Sequence, residues 1–265
     1  MAGISPFGAS CTILSLLGNS IISGQNALAA SAFFGTTLAP WPNRLDGGRY
    51  ELGGVEHQVG TLDSDQNANH GLIFDKRAEV RSHTSDTLVL GFDLRAQGYP
   101  FDVDLELVYQ ITDGFSVQAT ATNRSSGPAP FAIGFHPYFK MPLPATLRAN
   151  VTEHFVTDQR MIPIGKEEID QLELQFPGTE ALDDCYFGDW RVQFETASYK
   201  IEISQQNLPY LMLYKPAHSL FADGSPALAI EPMSAPANAF ATEIDKHLLL
   251  PGEKKSFGFE IRILN

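Results

Sequence analysis

Phe101-Asp102-Val103-Asp104-Leu105-Glu106-Leu107-Val108-Tyr109-Gln110-Ile111 sets an apolar side chain on every second position, with acidic or amide residues on most positions between. Successive side chains of a strand point to opposite faces, so this period of two belongs to a strand with one dry and one wet face. Asp113-Gly114 then interrupts the run. Beyond it Phe115, Val117, Ala119 and Ala121 alternate with Ser116, Gln118, Thr120 and Thr122. A turn signal between two alternating runs predicts a long antiparallel hairpin.

The same period extends outward from this hairpin. Residues 50–59 read as a shorter hairpin turning at Gly53-Gly54, and residues 88–94, 191–194, 199–203, 211–214 and 227–230 read as strands. Phe257, Phe259, Ile261 and Ile263 alternate toward the end of the chain, and the apolar stretch 11–34 reads as core strands. Only residues 166–174 read as one or two helical turns. Many short strands, closely spaced turn residues and almost no helix predict an all-β chain, a large antiparallel β-sandwich or barrel. No linker, composition shift or repeat divides residues 1–265, which predicts a single domain.

Composition narrows the function. Of 265 residues 31 are acidic and 18 basic, a formal charge of −13 that argues against a nucleic-acid or anionic-membrane surface. Cys11 and Cys185 form neither a metal-ligand spacing nor a disulfide framework, and two free thiols fit a reducing compartment. No Lys or Arg precedes Arg44, so the early apolar stretch lacks the basic start of a signal peptide. Gly18, Asn19, Ser20, Gly24, Gln25 and Asn26 interrupt it well short of the ~20 apolar residues of a membrane span. The expectation is a cytoplasmic protein, monomer or homodimer, that meets a small molecule.

Two segments place an ionisable side chain in apolar surroundings. His136 follows Phe131-Ala132-Ile133-Gly134-Phe135 and precedes Pro137; Glu231 follows Leu228-Ala229-Ile230 and precedes Pro232. Such surroundings move pKa values toward neutrality, and a histidine with a carboxylate is the smallest kit for moving protons on a polar substrate. Arg44 follows Trp41-Pro42-Asn43, and a fork of donors beside an aromatic ring suits hydroxyl-rich or carboxylate ligands. His70 lies between Asn69 and Gly71, where turn chemistry explains its neighbours but not the imidazole. Of the adjacent Asp183 and Asp184, strand alternation lets only one enter a given pocket. His57, His83, His154, His218 and His247 show no paired ligand spacing, which argues against zinc or iron. Phosphate-cradling glycine loops and Gly-x-Ser-x-Gly elbows are also missing.

In order along the chain, these pieces resemble the aldose 1-epimerase (galactose mutarotase) family. The matching residues are Ala39-Pro40-Trp41-Pro42-Asn43-Arg44 with Gly48-Arg49-Tyr50, Asn69-His70-Gly71, and Gly134-Phe135-His136-Pro137-Tyr138-Phe139. Leu182-Asp183-Asp184, Ala229-Ile230-Glu231-Pro232-Met233 and Leu250-Pro251-Gly252-Glu253 complete the series. The resemblance implies a galactose mutarotase-like β-sandwich with a sugar pocket on one sheet face. It implies Glu231 as general base and His136 as general acid in opening and closing the ring of a free aldohexose. Arg44, His70 and one of Asp183 and Asp184, with Asp183 preferred, would hold sugar hydroxyls. The implied chemistry needs no cofactor and no metal. A hexose-6-phosphate 1-epimerase and a catalytically silent carbohydrate-binding domain on the same fold are the alternatives.

Overall fold

The computed structural model describes residues 1–60, 62–179 and 181–264. Its hairpin pairs strand Val103–Ile111 with strand Phe115–Asn123, from Val103 opposite Asn123 to Ile111 opposite Phe115. Directly opposite residues share a face, so the apolar alternation of one strand continues into the next. Leu90, Leu107, Ala119 and Phe257 form one such row across four strands, all buried. The row belongs to an antiparallel nine-stranded sheet that runs, in spatial order, from strand Leu172–Phe176 to strand Glu79–His83. One position of the expected wet face is buried. Asp104 is covered by Arg81 and Arg124, which both bind its carboxylate.

An eight-stranded sheet packs on the first. Its centre is strand Ala227–Met233, paired on one side with Tyr210–Lys215 and on the other with the short strands Gly134–Phe135 and Tyr138–Lys140. Leu211, Leu213, Leu228 and Ile230 point into the core between the sheets. Phe139 and Phe135 of this sheet meet Phe194 and Phe259 of the other. Each fully buried side chain of this kind contributes ~1.5–3 kcal/mol. The opposite face of the same strands carries Asp183, Cys185, Met212, Tyr214 and Glu231, because alternation sends every second residue away from the core.

Two expectations need correction. Residues 166–174 form no helix: they run from strand Pro163–Glu168 through a three-residue link into strand Leu172–Phe176, each strand held by a neighbouring one. Helix propensity over so short a segment is a weak preference, and strand pairing overrides it. The apolar stretch 11–34 is strand only in Ser10–Leu16 and Asn19–Ile22, after which Ala27–Ala32 winds into a 3-10 helix capped by the Asn26 side chain. The remaining helices, Ala239–Thr242 and Ile244–His247, are single turns. No helix among the described residues is long and apolar enough to cross a membrane.

Candidate active site

Sheet register brings His136 to Glu231. Gly134 lies opposite Met233 and Tyr138 opposite Ala229, so the position midway between them faces Glu231. Pro137 cannot donate to the ladder, and the backbone of His136 turns instead to residues 35–36: its N–H donates to Thr36 and its carbonyl accepts from Gly35. The side chains meet, His136 Nε2 to Glu231 Oε1, at 3.4 Å, with only 6% and 2% of their surfaces exposed. His136 Nδ1 and Glu231 Oε2 have no partner in the protein. The imidazole is held by rings: it stacks on Tyr138 at 4.8 Å and meets the edge of His70 at 5.3 Å.

Burial dominates the electrostatics of this pair. It pushes the imidazole down to about 3 and the carboxyl well above the usual carboxylate range, where the nearby charge of Asp183 pushes the same way and Arg44 opposes it. Both shifts favour the uncharged forms of the two groups.

His70 and Arg44 come from two loop segments zipped together. The His70 backbone N–H donates to the Asn43 carbonyl, and the Asn43 N–H donates to His70 Nδ1 at 3.2 Å. With Nδ1 accepting, the ring proton sits on Nε2 and the imidazole is a donor. Burial, then the neighbouring His136 and Arg44, lowers its pKa well below the ordinary value, so it stays neutral. Gly71 permits the approach: its φ is +76°, and a Cβ there would lie 2.1 Å from the Ala39 carbonyl oxygen. Arg44 pairs across the strands with Asn69, and its guanidinium binds Asn43 Oδ1 at 3.3 Å and Asp183 Oδ2 at 3.4 Å.

Alternation separates the two aspartates. Asp183 lies opposite Tyr214 on the face that carries Glu231, and burial raises its pKa against the pull of Arg44. Asp184 faces the other way and bonds His154 Nε2 at 3.0 Å. A cavity of about 430 Å³ joins Arg44, His70, His136, Asp183 and Glu231, and Asp184 does not line it. Alternation admits only one of the two aspartates, and the one that lines the cavity is Asp183, the residue preferred from the sequence, and not Asp184. Among the described residues no three His, Cys, Asp or Glu side chains converge as metal ligands.

The aldose 1-epimerase family model matches residues 1–262. The chain belongs to this family. It is 28% identical over 246 residues to the uncharacterized protein YihR of Escherichia coli K12, a match covering 87% of this chain and 79% of the other. Its fold superimposes on the GalM/aldose epimerase homologue of Caenorhabditis elegans with a TM-score of 0.83 and 17% identity, over 100% of this chain and 95% of that one. The galactose 1-epimerase of Lactobacillus acidophilus NCFM gives 0.80 and 18%, over 99% and 90%. At these identities the structural likeness is one of fold.

Sequence reasoning missed several residues that line the cavity of this member of the aldose 1-epimerase family. Tyr138, Met212 and Tyr214 line it, and alternation from His136 and through residues 211–214 carried the signal for them. Ala32 and Phe33 also line it, and Tyr138 donates its hydroxyl to the Ala32 carbonyl at 3.1 Å. Nothing in the composition of residues 27–33 marks them as pocket wall.

Proposed function

We propose that this protein interconverts the α and β anomers of a free aldohexose by acid–base opening and closure of the ring. The observation that carries the reading is the buried His136–Glu231 pair, in contact at 3.4 Å, whose two residues line the cavity and each keep one polar atom without a partner in the protein. In the opening step Glu231 removes the proton from the C1 hydroxyl as the C1 carbonyl forms. The bond from C1 to the ring oxygen breaks, and that oxygen takes a proton from His136. Rotation about C1–C2 presents the other carbonyl face, and closure returns both protons with the roles exchanged.

Desolvation by the surrounding protein favours the protonated carboxyl of Glu231 and the neutral imidazole of His136. Sugar hydroxyls donating to the orphaned carboxyl oxygen stabilise its ionised form and return the proton to His136, the state needed for opening. His70 Nε2–H, Arg44 and Asp183 would hold the pyranose hydroxyls so that both proton sites stay within reach. A neutral sugar is favoured over a 6-phosphate because Arg44, the only Arg or Lys lining the described cavity, is already bound to Asp183. The name of the Lactobacillus structure makes galactose a natural first substrate.

Polarimetry on freshly dissolved α-D-galactose and α-D-glucose tests the reading. Acceleration by wild type, lost in Glu231→Gln, is the expected result. Acceleration of neither sugar, with turnover of α-glucose 6-phosphate, would move the assignment to the phosphorylated substrate. Sugar binding with no acceleration of any of the three would make this a silent binding domain.

A further inference from the structure

Five buried side-chain polar atoms among the described residues have no hydrogen-bond partner, and three of them belong to residues of the cavity. Two are His136 Nδ1 and Glu231 Oε2; the third is Asn69 Oδ1. A buried acceptor without a partner is destabilising, so an amide kept in this state needs a reason. Turn geometry supplies none. Asn69 sits in the short strand Asn67–Asn69 with extended backbone, unlike His70 and Gly71 beyond it, and its side chain caps nothing. Its neighbour across the strands is Arg44, and both side chains line the cavity. The Arg44 guanidinium is occupied by Asn43 and Asp183, whereas the Asn69 amide is bound to neither.

We infer that Asn69 is a specificity-determining residue that reads one hydroxyl, or two adjacent ones, of the bound sugar. A carboxamide offers an acceptor and two donors from one planar group, and the vicinal hydroxyls of a pyranose offer the matching donor and acceptor. Rotation of the amide about its last torsion turns the acceptor toward the ligand at little cost, because no protein hydrogen bond opposes it. The inference rests on the sugar-binding reading above and extends it: Arg44 and Asp183 supply charged contacts, and Asn69 a neutral one sensitive to the presence of a single hydroxyl.

The test is calorimetric titration of wild type, Asn69→Leu and Asn69→Ala with D-galactose, D-glucose and their monodeoxy analogues, with polarimetry in parallel. Wild type is expected to bind one monodeoxy sugar about tenfold more weakly than its parent, the size of one lost hydrogen bond. Asn69→Leu is expected to bind the parent about tenfold more weakly, to lose discrimination against that analogue, and to melt no lower than wild type, since an unpartnered amide has been removed. Asn69→Ala serves the same comparison without added bulk. An unchanged dissociation constant in a folded variant, or discrimination that survives in both, overturns the assignment. Binding is read apart from turnover, so sugar bound without mutarotation refutes the acid–base reading and leaves this one standing.

Discussion

Asp104 and Glu231 are both carboxylates set among apolar strand residues, one in each large sheet. Asp104 is bound by two guanidinium groups, Arg81 holding both its oxygens and Arg124 adding a contact at 3.0 Å. Arg81 is held charged by that bond and also reaches Glu106. Glu231 has one imidazole at 3.4 Å, and its second oxygen has nothing. The first carboxylate is buried because its hydrogen-bonding capacity is used up; the second is buried with capacity left over. Unused capacity on a residue that lines a cavity can be met by something outside the chain, and that difference separates a structural ion cluster from a candidate site.

The comparison breaks most visibly at turnover. Glu231→Gln or His136→Asn is expected to lower the mutarotation rate by ~10²–10⁴, the contribution of one positioned proton-transfer group, with the fold intact by circular dichroism. Asp104→Asn should leave that rate within about twofold. Equal losses at both sites would erase the distinction.

Stability should show the reverse. Asp104→Asn leaves Arg81 and Arg124 facing a neutral amide, and a loss of about 2 kcal/mol is expected in urea unfolding, less than for a fully buried pair because both guanidinium groups are partly exposed. Glu231→Gln should stabilise the protein at pH 7–8. The folded state raises this carboxyl above its ordinary pKa, so wild type gives up stability as pH climbs from about 4.5 through the folded value. Glutamine has no proton to lose, and its advantage should vanish below about pH 4.5. His136 has the opposite sign. Its folded pKa of about 3 lies below the ordinary 6.5, so wild type loses stability as pH falls between those values and His136→Asn does not. Thermal melts of the three proteins from pH 4 to 8 check both slopes, and parallel curves would remove the burial argument.

Arg44→Ala should act on binding rather than chemistry. The guanidinium is one-fifth exposed and touches neither His136 nor Glu231 in the hydrogen-bond network, so a rise in KM of about tenfold with little change in kcat is expected from progress curves. A drop in kcat alone would move Arg44 from holding the sugar to supporting the proton transfer.

What the sequence made legible follows from which interactions are local. Alternation reports which face of a strand is dry, and that sufficed for the hairpin of residues 103–123 and for the depth at which His136 and Glu231 sit. Their meeting was legible only through the family resemblance and not from the pattern, since it depends on the register between strands almost a hundred residues apart. Segment 166–174 misled because its charges suit a helix or an exposed strand equally, and only a neighbouring strand decides. Asn69 carried no chemical signal at all: an unpartnered amide is a property of its surroundings, and asparagine before His-Gly reads as turn chemistry.

Asp183 and Asp184 bring the contrast between used and unused capacity down to adjacent residues. Asp184 is engaged by His154 on the far face, while Asp183 enters the cavity with Arg44 as its partner and burial raising its pKa. Asp183→Asn is therefore expected to raise KM about tenfold and Asp184→Asn to change it less than twofold, with both proteins folded. If the two variants behave alike, alternation does not set which carboxylate meets the sugar. If only Asp184→Asn weakens binding, the register of strand Leu182–Phe187 is wrong by one residue, and with it the row that joins Asp183 to Tyr214 and Ala229. A one-residue slip exchanges every side chain of a strand between faces, so this comparison of neighbours bears on the whole geometry of the site.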